Sequence, residues 1–279
     1  MTEGAALARK LFAERICGLA GSDNPHILAA FAKVPREDFV GPGPWRISDG
    51  WGYHFTQSAD PSNVYHDVLI ALDEAAGVNN GQPSLYATLF DQLAVSRGET
   101  ALHVSAGTGY YSAILAELVG FAGKVTAYEI DPALAAKARA ALAPWPQVEL
   151  IAGDGVKAVL EPVDVILVSA GLAFPPASWL DALKPAGRLL FAMTTRDARG
   201  RMLLATRKGP TSFRARFSTP VAFIEAIGGR NPAGEARLAD AFARGDDDEV
   251  QSLRRDAHPE DESCCLHGEG WCLSRRQPV

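Results

Sequence analysis

The chain has 279 residues, enough for one α/β domain with additions, and its 47% apolar and 22% charged content is that of an ordinary globule. A formal net charge of −6 excludes a general attraction to phosphate backbones, so no nucleic-acid partner is expected, and no run approaches the roughly 18 apolar residues of a membrane helix. The start, Met-Thr-Glu-Gly-Ala-Ala, lacks a basic n-region, which predicts a cytoplasmic protein, and four cysteines in a chain this long are not a disulfide framework.

Leu7, Leu11, Phe12, Ile16 and Leu19 recur at helical spacing and predict a helix over 4–19; a second, over 25–34, is ended by Pro35. The density of Gly, Pro and Trp over 41–52 predicts an ordered loop, and Gln82-Pro83 leads a helix over 85–93. Residues 1–95 are therefore expected to form a helical and loop cover on the substrate side of a ligand crevice. Residues 99–131 then describe a strand, a glycine turn, a helix and a second strand ending in an acid. A third strand covers 148–154, and the near-continuous apolar run 163–170 predicts a strand buried on both faces. A helix over 175–183 leads through Lys184-Pro-Ala-Gly-Arg188 into a strand over 189–194.

Strands over 201–208 and 213–224 predict an antiparallel edge hairpin, closing a ligand-binding domain over 96–228. Arg196, Arg199, Arg201, Arg207, Lys208, Arg214 and Arg216 fall there; they read as a solvated face on edge strands, or else as a docking surface for an acidic peptide or nucleic acid. Residues 229–279 form an appendage. Asn231-Pro232 starts a helix that Gly245 ends, Asp246 to Glu249 reads as a solvated loop, and the tail reads as a hairpin. Cys264, Cys265, His267 and Cys272 could offer thiolates and an imidazole to zinc. Neighbours on a strand face opposite ways, however, so the expectation is no metal and cysteines that act as small buried hydrophobes.

The glycine turn carries the chemistry. At Gly107 and Gly109 the backbone can approach a ligand closely, and the following helix aims its free N–H groups at that space. Glu129, 22 positions after Gly107, can accept hydrogen bonds from a ribose diol, and the acid and bare backbone of Asp154-Gly155 can flank an adenine. Ser112 in place of the last glycine weakens a dinucleotide fingerprint.

The order of these segments resembles the class I S-adenosylmethionine-dependent methyltransferases: α/β, Rossmann-like, with a central mostly parallel sheet and helices on both faces. Ala30-Phe31-Ala-Lys-Val34-Pro35-Arg36-Glu37-Asp-Phe39-Val40, Tyr65-His66-Asp67, Gln82-Pro83 and Gly107-Thr-Gly-Tyr-Tyr-Ser-Ala-Ile-Leu-Ala116 are similar to the protein-L-isoaspartate O-methyltransferases. The resemblance covers roughly residues 25–195. It implies S-adenosylmethionine as cofactor, S-adenosylhomocysteine as product, and an acceptor that is a peptide, protein or small molecule, with a carboxylate the first choice. The cofactor contacts it implies fall on Gly81, Tyr86, His103, Ser105, Ala106, Gly107, Gly109, Tyr110, Glu129, Ile130, Asp154 and Gly155. Three positions depart from the family pattern. A Ser beside donor and acceptor, two places before the proline, is Gly81 here; the acid opening the glycine motif is His103, and its first glycine is Ser105. Asn80 and Gln82, beside the missing Ser, are the candidates to orient the acceptor, with Tyr65 and His66 as substrate contacts. An acceptor of another kind, or a cofactor-binding protein without transfer activity, are the alternative readings.

Overall fold

The computed structural model describes residues 3–50, 52–227 and 231–278. In chain order the first elements are α1 (Glu3–Ala20), α2 (Pro25–Lys33), β1 (Arg46–Ser48), β2 (Tyr53–Phe55), β3 (Leu69–Asp73), β4 (Val78–Asn79), α3 (Pro83–Leu93), β5 (Thr100–Val104), α4 (Tyr110–Val119), β6 (Lys124–Glu129), α5 (Pro132–Ala141) and β7 (Val148–Ala152). There follow β8 (Val163–Leu172), α6 (Ala177–Ala182), β9 (Leu183–Thr194), β10 (Arg199–Arg207), β11 (Ser212–Ala222), α7 (Pro232–Arg244), β12 (Ser252–Arg254), β13 (Cys264–Gly268) and β14 (Trp271–Ser274). Proline in the first turn and a side-chain cap start several helices: Asn24 accepts the His26 N–H, Asp131 those of Ala133 and Leu134, and Asn231 those of Ala233 and Gly234. The result is an α/β fold with a large mixed sheet, mostly parallel in its core, and among the described residues no helix is long and apolar enough to cross a membrane.

The chain forms two compact units, Met1–Glu99 with Ala106–Gly153, and Thr100–Ser105 with Asp154–Val279. In the first, β6 and β7 run parallel beside α4 and α5, and the N-terminal residues add a sheet in the order β2-β1-β3-β4. The expected loop over 41–52 therefore contains a strand: Ile47 pairs with His54 on one side and Ile70 on the other. Trp51 of that loop lies outside the described residues. α1 buries Phe12 and Ile16, with Phe12 against Phe31 and Tyr65, whereas Leu7, Leu11 and Leu19 are more than half exposed, so the apolar positions divide between two faces.

One side chain ties this unit together. Arg36, fully buried, follows α2 and Pro35, and its Nε donates to Asn80 Oδ1 at 3.0 Å. Nη1 donates to the carbonyls of Val64 and His66 at 3.1 and 3.0 Å, and Nη2 to those of Val68, Asn80 and Gly81 at 2.8, 3.0 and 3.1 Å. Burial holds the guanidinium below its ordinary pKa, and the carbonyl dipoles stand where a counter-ion would.

In the second unit the strand order is β13-β14-β12-β11-β10-β9-β8-β5, parallel at β5, β8 and β9 and antiparallel beyond. The apolar run in β8 is buried as expected. The hairpin β10–β11 is not an edge, because Phe213 of β11 pairs with Leu253 of β12, and β14 and β13 continue the sheet. The acidic stretch is not a solvated loop either. Asp246 and Asp247 are buried in a short 3-10 turn, where Arg201 pairs with Asp247 and Asp248 while Arg244 and Arg275 reach Asp246. Arg207 donates to the carbonyls of Leu180, Asp181 and Leu183, so part of the basic cluster is spent inside the fold. The expected boundary at 228/229 lies outside the described residues.

Replacing Arg36 by Met leaves buried carbonyls and an amide oxygen without donors, and stability should fall by at least about 3 kcal/mol. Arg36→Lys should lose less but still more than about 1 kcal/mol, since an ammonium cannot span the same acceptors. Urea unfolding of the two variants checks both values.

Candidate active site

The glycine turn and the acid at the end of β6 meet in the first unit. Gly107 and Gly109 hold φ of 59° and 92°, Gly109 N–H closes the turn on Ala106 O at 2.9 Å, and α4 begins at Tyr110. Glu129 is buried; its carboxylate accepts the Gly107 N–H at 2.6 Å and the Asp131 N–H at 2.9 Å. Burial pushes its pKa up, and the N–H groups of Asp131 and Gly107 pull it back. Thr108, between the two glycines, is buried with its hydroxyl lacking a partner among the described residues. A buried acid beside backbone N–H groups and an orphaned hydroxyl in the same turn fit a polar ligand such as a nucleoside carrying an amino acid.

The loop before α3 is built around an absent side chain. A Cβ on Gly81 would collide with Tyr86 Cε2 and stand 3.1 Å from Tyr111 Cε2. Tyr86 and Tyr111 stack with centroids 3.4 Å apart at 3°, and both are buried. Gly81 O accepts from Tyr111 Oη at 3.0 Å as well as from Arg36, so α4 and the loop are joined directly. Gly81 is not among the residues with positive φ; what forbids a side chain is the tyrosine ring. Tyr86, expected at the cofactor, belongs to this stack.

Asn80 is also placed by Arg36, its Oδ1 and carbonyl both engaged, and its N–H bonded to Ile70 O at 2.7 Å. Gln82 is exposed at the start of α3 and donates to Asp67 Oδ2 at 2.8 Å. Asp67 in turn accepts the Ser84 N–H and hydroxyl at 2.8 and 2.6 Å, capping α3 from a distance. Tyr65 is in the core: it packs on Phe12 and donates to Glu37, and burial together with that bond raises its pKa. His66 is exposed, and its carbonyl serves Arg36. Tyr110 is buried against Phe39 and Phe31, with its guanidinium neighbour Arg36 at 5.8 Å, while Ile130 is partly exposed after β6. Ala106 is buried and donates to Tyr128 O at 3.0 Å.

The remaining candidates lie in the second unit. His103 is buried, with Nε2 2.8 Å from Ser169 Oγ, and Ser105 takes φ of 61°, a left-handed conformation usual for glycine. Asp154 Oδ1 accepts the Val156 N–H at 2.9 Å, and Gly155 O accepts from Trp179 Nε1 at 2.9 Å.

A family model described as protein-L-isoaspartate(D-aspartate) O-methyltransferase (PCMT) matches residues 52–231. The chain belongs to this family. It is 36% identical over 233 residues to the protein-L-isoaspartate O-methyltransferase of Methylorubrum populi, covering 82% of this chain and 99% of that one. It spans 61% of the length of the Thermotoga maritima relative. A solved protein-L-isoaspartate O-methyltransferase superposes with a TM-score of 0.66 at 26% identity, over 85% of this chain and 68% of that one. The fold is also that of a putative member from Plasmodium falciparum in complex with S-adenosyl-L-homocysteine, with a TM-score of 0.62 at 16% identity, covering 78% and 97%.

Arg36, Asp67, Thr108 and Tyr111 stand in the motifs that carry the resemblance, but the sequence offers no reason to place them at the site. Arg36 was visible as a cation directly after an apolar helix, and Tyr111 as a second aromatic in the glycine motif. The departure at His103 has a measurable electrostatic signature, because burial lowers its pKa to about 3 and the imidazole stays neutral. The unfolded chain takes up this proton near pH 6.5 and the folded one near 3, so stability should fall across that window as pH drops and be indifferent to His103 above it. The contribution is about 1.4 kcal/mol per pH unit. His103→Asn should reduce the slope of unfolding free energy against pH by about one proton. An unchanged slope would show that His103 takes up its proton in the fold as readily as in the unfolded chain.

Proposed function

We propose that this S-adenosylmethionine-dependent O-methyltransferase acts on a peptide or protein carboxylate of the isoaspartyl class for which its relatives are named, through an acceptor loop packed on Tyr86. The observation that carries the proposal is the glycine turn with the buried Glu129 carboxylate at its Gly107 N–H, in a chain matched by the protein-L-isoaspartate O-methyltransferase family model. When bound, S-adenosylmethionine supplies an electrophilic methyl group. An acceptor carboxylate is already ionised at neutral pH, so the chain's contribution is positioning rather than a strong base. Glu129 would take the ribose hydroxyls, which compete with the Gly107 and Asp131 N–H groups for its lone pairs, and Thr108 would offer its hydroxyl to the amino-acid part. Asn80 holds the loop through Arg36, which leaves the exposed Gln82 as the residue to orient the acceptor. Glu129→Ala should weaken S-adenosylhomocysteine binding by about 1.5–3 kcal/mol in titration calorimetry.

Transfer of a labelled methyl group to an isoaspartyl peptide, with the ordinary aspartyl peptide as control, tests the acceptor. Wild type should methylate the isoaspartyl peptide slowly and the control not at all. Gly81→Ser by itself should gain nothing, because its Cβ meets Tyr86; combined with Tyr86→Ala it should exceed Tyr86→Ala by about tenfold, which corresponds to about 1.4 kcal/mol from one transition-state contact. The ring that meets a Cβ at position 81 favours a second reading, an acceptor of different shape such as a modified peptide carboxylate or a small-molecule hydroxyl. Tight cofactor binding with no transfer to either peptide would select that reading.

A further inference from the structure

The tail holds four metal-ligating side chains that the methyl-transfer reading does not use. His258, in the connection from β12 to β13, Cys264 and His267 of β13, and Cys272 of β14 each present one donor atom, and these atoms all lie within 4.8 Å of one another. Cys264 Sγ is 3.7 Å from His258 Nε2 and 3.8 Å from His267 Nδ1. A tetrahedral zinc with Zn–S near 2.3 Å and Zn–N near 2.0–2.1 Å requires donor separations of about 3.3–3.8 Å, so the group is already close to that size.

The strand geometry explains both the grouping and why alternation alone conceals it. His267 and Cys272 are directly opposed across the hairpin, so their side chains share a face. A register shift between Cys264 and Leu266 turns Cys264 onto that face too, three positions from His267, while Cys265 is buried outside the group. The surroundings suit a metal. His258 Nδ1 stands 2.8 Å from Asp256 O, so its N–H is donated there and Nε2 carries the lone pair toward Cys264. The Asp261 N–H donates to Cys264 Sγ at 3.4 Å. Arg254 grips Asp256 and keeps Nη1 buried without a partner among the described residues.

We propose that His258, Cys264, His267 and Cys272 bind one Zn2+ in a Cys2His2 site that fastens the connection 255–263 and the hairpin to the end of the sheet. Two thiols and two imidazoles select zinc over the oxygen-seeking cations. Binding forms two Zn–S and two Zn–N bonds and releases the two thiol protons to solvent, with no change of oxidation state. Such a fastening has a physical reason: β12, β13 and β14 are 3, 5 and 4 residues long, short for strands at the margin of a sheet.

Elemental analysis of full-length protein, purified without chelator and then titrated with Zn2+, should give one zinc per chain. Cys264→Ser and Cys272→Ser should each lose it, whereas Cys265→Ala should keep it. Loading the wild type with Co2+ should produce the visible bands of a tetrahedral cobalt thiolate, a readout that needs no variant to fold, and chelation should lower the thermal midpoint. Absence of zinc and cobalt binding in the wild type, a Cys264–Cys272 disulfide in its place, or full zinc content in both serine variants would overturn the site.

Discussion

A buried guanidinium without a carboxylate fixes the irregular backbone of the N-terminal residues. Arg36 spends its N–H groups on the carbonyls of residues 64, 66, 68, 80 and 81 and on the Asn80 amide, which makes separate stretches of irregular backbone one piece. Irregular backbone is costly to bury because its carbonyls lack ladder partners, and a planar fork with five donors satisfies many at once. Gly81 depends on this twice, since its carbonyl receives Arg36 and Tyr111 while its missing side chain makes room for Tyr86. The loop that Arg36 holds is therefore also tied to α4, through Tyr111.

The second unit solves its packing differently. There arginines 201, 244 and 275 surround a turn of acids at 246–249, and the charges are partly exposed. Ion pairs of this kind contribute modestly and weaken with salt, so this end of the sheet relies more on pairing of β11 with β12 and on Phe213, Leu253 and Leu273, all buried. The two units thus differ in what disturbs them: burial of a single cation in one, ionic strength and strand pairing in the other.

Much of the fold was legible in the sequence, because the helices and the buried strands carry their own periodicity and caps. The apolar run of β8, the glycine turn and the Asn231 and Gly245 helix ends all lie where local chemistry puts them. What escaped was set by distant partners. β1 has three residues, and only its neighbours β2 and β3 make it a strand. The acids at 246–249 looked solvated because Arg201 and Arg275 are far away in the chain. At the site, Gly107 and Glu129 could be paired by spacing, but Gly81 read as a lost hydroxyl, since nothing in its immediate neighbourhood announces the ring of Tyr86.

The interlock of Gly81 with Tyr86 makes the two positions answer for each other. A Cβ at 81 and the ring at 86 claim the same space, so a side chain can enter at 81 only if the ring shifts out of its stack on Tyr111. The residue tolerated at one position is thereby set by the residue at the other.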